Sequence, residues 1–432
     1  MKYQSFEPNR LDKSNLIKHA RTIVLYLVIA IFVVAVPLVS ISTFDRIRDD
    51  RRRAEFLYDF DYLINALEEN FPLFDIIYLR RGVDMRELGQ EIRDYIAYEA
   101  NELNYRSFSR LIRNNFFTHA GQSGNLGILS FLCMELEVAL LQSNWRGNES
   151  RIIRYTSLLE NARYHAALLE IPTTREFSLN RWTPAWIFTD IIEEERIAFL
   201  SFSILPVIIE QREIDVINSF YRKIENFEHL IIDLRGIEGR NSHFFHHVIA
   251  GPLIQGLSLD VNFRHFFMDG EFNQLYFSDI PSIQLNSTDA VSLTQLLGGQ
   301  YVLSDEWNMD YYFYELHSVS RRNPRANFNG KIWMLIDGNT RSGGQQVASF
   351  YKNTGFATFV GETTGGSFGS PTPWGANYFT LPNTGFVIRY NPTLVVDSQG
   401  RPLELGTEPH YFNRPGLDAL ETVLQMIYEG CY

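Results

Sequence analysis

Asp337 to Tyr351 reads DGNTRSGGQQVASFY and follows the apolar run WMLI at Trp333–Ile336. A strand-like run ends in Asp-Gly-Asn, passes a serine followed by two glycines, and enters a helix-like stretch. Placed there, Ser342 presents its hydroxyl at the C-terminal edge of a sheet, beside the free N–H groups and partial positive charge of a helix N-terminus. Such N–H groups stabilise an oxyanion, and Gly343 lets the backbone come close to a substrate. The chemistry would be nucleophilic attack on a carbonyl. A plain N-cap serine fits the same spacing.

Five further stretches hold residue types that do chemistry. DLRGIEGR, Asp233 to Arg240, puts two glycines three apart after an apolar run. It could offer N–H donors to a carbonyl or simply end a strand, and it lacks the spacing and Lys-Ser/Thr of a phosphate loop. THAGQSGNLG, Thr118 to Gly127, sets His119 in a glycine-rich loop, as a base or as a structural histidine. GETTGG, Gly361 to Gly366, and LELGTEPHYF, Leu403 to Phe412, bring Glu404, Glu408 and His410 in turns that could equally lie idle on the surface. His243, His246 and His247 cluster without an HExxH pattern or an acidic partner. They are expected to cap or line a helix, and no metal site is expected.

The elements that would position these residues alternate. IAFLSFSIL (Ile197 to Leu205), a helical stretch (Glu210 to Glu225) and HLIIDLRG (His229 to Gly236) form a strand–helix–strand unit. KIWMLIDG (Lys331 to Gly338), Gln345 to Asn353 and ATFVGETTGG (Ala357 to Gly366) repeat it. This pattern predicts an α/β core with a parallel-rich sheet, closed by a helix over Leu417 to Tyr428. Upstream, Phe60, Leu63, Ile64 and Leu67 recur at helical spacing. Helices are also expected over Met85–Leu103, Leu126–Leu141 and Ser150–Ile171. Gly251 to Asn329, rich in aromatic and turn residues, reads as an insertion between core strands.

Composition narrows the function. The 432 residues carry a formal net charge of −12, which argues against a nucleic-acid partner. Cys133 and Cys431 stand far apart, which excludes a disulfide framework and metal-ligand spacing. Thr22 to Ile41, TIVLYLVIAIFVVAVPLVSI, contains no charge. Its roughly 20 residues match a ~30 Å hydrocarbon core and exceed the apolar stretch of a cleaved signal peptide. Lys2, Arg10, Lys13, Lys18 and Arg21 precede it, and Arg46, Arg48, Arg51, Arg52 and Arg53 follow it, so positive charge does not set its orientation. The expected organisation is a tail (1–21), a transmembrane anchor (22–41), a helical region (42–190) and a core (191–432) with its insertion at about 251–329.

The order of the motifs is more specific than any one of them: strand-DLRG, strand-D-G-N-x-x-S-G-G-helix, G-E-T-x-G, then G-x-x-P before a last helix. This order resembles the C-terminal-processing, or tail-specific, serine peptidases, the family that includes the tricorn core protease. The resemblance spans roughly Ile197 to Tyr428, with a weaker match back to about Asp59, and no peptide-binding PDZ module is apparent before the core. It implies a crotonase-like peptidase core, a protein or peptide substrate and no cofactor. It places the nucleophile at Ser342 and the oxyanion N–H groups at Gly343 and Gly239, with Glu238 where the family usually has glycine. Ser-Lys members carry their lysine about 25 residues after the serine; here that position is Ser367, in GGSFGSP, which has no lysine. The tricorn-like branch uses a histidine from a loop before the core and a glutamate from the C-terminal turn. Those positions match His119, preceded by Thr118, and Glu404, although Glu404 is one residue out of register and the usual Pro-Asp reads Pro409-His410.

The expectation is a single-pass membrane-anchored serine endopeptidase with its catalytic part outside the cytoplasm, an orientation that the resemblance favours. Thr118 would support the oxyanion or the water. Two other readings fit part of the pattern: a catalytically inactive protein of the same fold that binds peptides, and a crotonase-like acyl-CoA enzyme, which the anchor and the serine before a helix do not favour.

Overall fold

The structure, a computed structural model, describes residues 49–99, 103–121, 123–129, 187–206, 209–237, 242–278, 286–287, 309–322, 326–366 and 376–432, with 24, 156–158 and 160 besides. The apolar run 22–41 lies outside these, residue 24 excepted. Among the described residues no helix is long and apolar enough to cross a membrane.

The chain first builds a helical unit: α1 (49–70), α2 (Phe74–Arg81), α3 (Met85–Asp94) and α4 (Tyr105–Ile112), the last running through a π-turn, Arg113–Phe117, into Thr118–Ala120. Local sequence sets the ends. The Asp84 carboxylate accepts from Arg86 N and Glu87 N, and Asn104 and Ser107 form a reciprocal capping box, so orphan N–H groups are met at both helix starts. Phe60, Leu63 and Leu67 are fully buried and Ile64 packs beside them, with Phe71, Phe108 and Phe116 in the same cluster.

The strands are β1 (Gly127–Ile128), β2 (Ile187–Glu193), β3 (Ile197–Phe202), β4 (His229–Asp233), β5 (Ser258–Phe267), β6 (Asn286–Ser287), β7 (Tyr311–Ser320), β8 (Lys331–Ile336), β9 (Thr358–Gly361), β10 (Asn377–Thr380), β11 (Val387–Tyr390), β12 (Leu394–Val396) and β13 (Tyr411–Phe412). With them come α5 (Gln211–Lys223), α6 (Glu271–Ser278), α7 (Gly343–Asn353) and α8 (Ala419–Glu429). The central sheet has the order β13-β9-β8-β4-β3-β2. All its neighbours are parallel except β2, which runs antiparallel to β3. One face, with Ile231, Trp333, Leu335 and Val360, packs on α8. The other, with Leu230, Ile232, Met334 and Ile336, packs on α5 and α7. Burial on both faces explains why these strands read as unbroken apolar runs.

Two antiparallel sheets flank this core. β12-β5-β7-β6 takes its long pair, β5 with β7, from the stretch 251–329 and its edge strand from Leu394–Val396. β1-β11-β10 joins the end of the THAGQSGNLG loop to the C-terminal hairpin. Gly127–Ile128 is thus a strand, where a helix over 126–141 was expected. Its pairing with Ile388 and Arg389 decides the matter locally, and 130–141 lies outside the described residues. β2 likewise begins at Ile187, inside the stretch expected to be helical, because it completes the central sheet. Phe379, Phe386, Ile388 and Tyr390 enter the core of the helical unit, so helices and hairpin share one interior.

Candidate active site

The parallel strands β4, β8 and β9 all end on one edge of the sheet, and their exits are the DLRG, DGNTRSGG and GETTGG turns. In an open α/β sheet the carboxyl ends of the strands are where a crevice forms.

Ser342 lies between β8 and α7 with φ 53° and ψ −115°, and its side chain makes no capping hydrogen bond. A side-chain-bearing residue held there costs about 1–3 kcal/mol and persists only where its surroundings impose it. The surroundings are evident. Arg341 N donates to Ile237 O at 3.0 Å. The buried Thr340 hydroxyl donates to Leu234 O at 2.9 Å. The Asp337 carboxylate accepts from Gly236 N at 2.9 Å and Asn339 N at 3.0 Å. A Cβ on Gly344 would collide with Ile237 O, so α7 begins pressed against the DLRG loop. The Asp and Arg of that motif are structural: Arg235 Nη2 bonds Asp233 at 2.7 Å, and its Nη1 reaches Asp418, the cap of α8, at 2.8 Å.

The other two turns close around Ser342 from the far side. Ser342 N donates to Gly366 O at 3.4 Å, and Gly365 N to Thr340 O at 3.0 Å. Gln345, fully buried in α7, donates through Nε2 to Leu403 O and Thr407 Oγ1, both at 3.0 Å, and accepts from Thr364 Oγ1. Thr407 N donates to Thr364 Oγ1 at 2.7 Å. Gly366 has φ 66°, and a side chain there would strike Glu404 O.

Glu404 is therefore brought to the Ser342 turn, buried to 4% exposure. Glu408 and His410 of the same stretch are occupied elsewhere: Glu408 pairs with Arg401 at 2.9 Å, and His410 Nδ1 accepts from Phe359 N at 2.9 Å. The cation beside Glu404 is Arg80 of α2, whose Nη1 lies 3.9 Å from Oε2. Arg80 Nη1 also donates to Ser123 Oγ at 3.2 Å, and Nη2 donates to Gly365 O. Burial depresses the Arg80 pKa while Glu404 pulls it back up. Nothing in the local sequence singles out Arg80. An arginine in the last turn of a helix reads as a solvated charge that favours the helix dipole.

His119 sits elsewhere. It is exposed on Thr118–Ala120 and lines a cavity of about 570 Å³ on the helical unit, with Glu91, Tyr95, Ser107, Arg110 and Asn115. Among the described residues no hydrogen bond joins it to Ser342 or Glu404. Thr118 Oγ1 donates to Arg113 O at 2.8 Å within its own helix. Gly343 is the first residue of α7, where a helix leaves N–H groups without internal partners. Glu238, Gly239 and Ser367 lie outside the described residues.

The histidine cluster is structural. His246 and His247 lie on the π-turn Phe245–Ala250 and His243 just before it. His246 Nδ1 shares a hydrogen bond with Tyr351 OH at 2.9 Å, and His247 Nε2 lies 3.1 Å from Arg322 Nη2. Among the described residues no group of three or more His, Cys, Asp or Glu is placed to hold a metal ion.

Residues 205–412 match the family model described as Peptidase family S41. No curated protein matches the sequence. Among solved structures, the chain is similar to that of a peptidase-like protein from Parabacteroides merdae, with 13% identity and a TM-score of 0.50 over 89% of this chain and 96% of that one. At this identity the likeness shows the fold alone. Mature CPAF complexed with lactacystin also matches, with 13% identity and a TM-score of 0.48 over 88% and 97%. The photosystem II D1 C-terminal processing protease matches with 12% identity and a TM-score of 0.32 over 56% and 52%.

Proposed function

We infer the chemistry from a premise that the motifs and the family match supply together: through residues 205–412 the chain belongs to peptidase family S41 and is a serine peptidase. In the reaction we propose, Ser342 Oγ bonds to the carbonyl carbon of a peptide while its proton passes to His119. The oxyanion forms against the N–H groups of Gly343 and Gly239. The C–N bond then breaks, His119 returns the proton to the leaving amine, and water hydrolyses the acyl-enzyme with His119 again as base. Glu404 orients the imidazole and stabilises its charge.

The Ser342 backbone carries this proposal. A non-glycine residue at φ 53° on a strand-to-helix turn, with its hydroxyl unused as a cap, has the form of a nucleophile elbow. The N-cap alternative leaves that strain without a purpose. His119 stands apart from Ser342 here, and catalytic contacts often tighten only when substrate binds. Gly121, at φ 65° and ψ −131°, offers the pivot for the THAG loop to bring it in. The deciding experiment is labelling of the full-length protein with a fluorophosphonate probe. Wild type should label and Ser342→Ala should not; a folded wild type that does not label overturns the assignment.

The anchor belongs to the same proposal. The apolar run 22–41 would hold the chain in a membrane with residues 42–432 on the extracytoplasmic side. Carbonate extraction that releases the full-length protein from membranes would refute anchoring. Protease treatment of intact cells that leaves the C-terminal part untouched would refute the orientation.

A further inference from the structure

We propose that Arg80 is a positioning residue of the Ser342 site: its guanidinium seats Ser123, four residues after His119, on the two turns that back the nucleophile, and so fixes where Glu404 and the incoming His119 meet. The proposal rests on Ser342 being the nucleophile.

Arg80 leaves a rigid platform, since Phe74, Ile76 and Ile77 bury one face of α2 in the core of the helical unit. Its side chain is 25% exposed. From there one planar fork addresses three segments far apart in the chain: Ser123 Oγ of the loop, Gly365 O of the GETTGG turn and the Glu404 carboxylate. A guanidinium suits this task because its donors diverge in a fixed plane, whereas an ammonium is a point charge. The next carbonyl after that of Gly365, Gly366 O, accepts from Ser342 N, and Glu404 O packs where a Gly366 side chain would stand. A shift of the fork is thus felt at the nucleophile's own amide and at the acid together. The neighbouring Arg81 completes the seat, because its guanidinium fills the space that a side chain on Gly121 would need. His119 lies two residues before that glycine.

The test uses the full-length protein in detergent and a fluorophosphonate–rhodamine probe, with folding checked by thermal melting. Arg80→Ala should slow the labelling of Ser342 by about 100-fold, the scale on which a misplacement near 1 Å acts. The loss should fall on the bond-forming rate at saturating probe, not on the half-saturating concentration. Arg80→Lys should be nearly as slow. Millimolar guanidinium should restore Arg80→Ala by about ten-fold where ammonium does not, since only the planar fork replaces the lost donors. Should Arg80→Ala not fold, Ser123→Ala, which removes one acceptor of the fork, decides: about five-fold slower labelling supports the role, and an unchanged rate overturns it. A wild type that labels together with a folded Arg80→Ala that labels within two-fold of it overturns the role of Arg80 alone. A wild type that does not label removes the nucleophile and this proposal with it.

Discussion

Arg341 N donates to Ile237 O at 3.0 Å, which ties the residue before Ser342 to the end of the DLRG stretch. Gly344 lies against the same carbonyl. The Ser342 turn and the end of the DLRG stretch are therefore tied at one carbonyl. Gly344→Ala should force them apart and destabilise the fold by about 1–3 kcal/mol, the usual range for overpacking. Fluorophosphonate labelling should fall further than stability does. Chemical denaturation alongside labelling checks this, and wild-type labelling in the variant would show that the two loops are not coupled.

Gln345 is the second such tie. Its amide satisfies Leu403 O, Thr407 Oγ1 and Thr364 Oγ1 inside the protein. Gln345→Leu keeps the bulk and strands these partners, and each stranded buried group costs about 1–3 kcal/mol. The expected outcome is a large drop in melting temperature, together with slower labelling because Glu404 lies one residue from Leu403. Gln345→Glu, which keeps an acceptor for Thr364, should be the milder change.

The sequence made parts of this arrangement legible, for physical reasons. β3, β4 and β8 are buried on both faces, so their apolar runs stand out, and the motifs at their ends could be ordered along the chain. The strain at Ser342 was not legible, because spacing alone is the same for an N-cap serine and for a residue held at φ 53°. Arg80 gave no signal, since its partners lie 43 and 285 residues away, and Glu404 farther still. The β5–β7 pair was obscured because His265 and Glu315, 3.0 Å apart, occupy inward positions among Val261, Phe263 and Phe313. Its edge partner, Leu394–Val396, is far downstream.

Asp59 shows how the helical unit is fastened to the rest. Its fully buried carboxylate accepts from Asn383 N at 2.8 Å and Thr384 N at 2.7 Å, in the turn between β10 and β11. Hydrogen bonds to a charged acceptor contribute about 1.5–3 kcal/mol, and two N–H groups lose their partner together. Asp59→Ala should therefore cost about 3–5 kcal/mol in urea denaturation, close to the value for breaking a buried pair. A change under about 1 kcal/mol, the level of an exposed contact, would mean that helices and hairpin are held by apolar packing alone.

Acid should unfold the protein through its histidine cluster. Burial pushes His246 down to about 3 and His247 down to about 4, with the neighbouring imidazoles of His243 and His317 and the Arg322 guanidinium acting in the same direction. In the unfolded chain both return to about 6.5. Between these values the unfolded state binds protons that the folded state refuses, so stability is full above pH 6.5 and falls as the pH drops towards 4. His246→Gln removes one titrating group while keeping a polar side chain towards Tyr351 OH, its partner at 2.9 Å. The slope of unfolding free energy against pH should then lessen by about 1.4 kcal/mol per pH unit between pH 4 and 6, the effect of one proton. Urea unfolding of wild type and variant across that range measures it, and parallel curves would show that His246 accepts its proton in the folded protein.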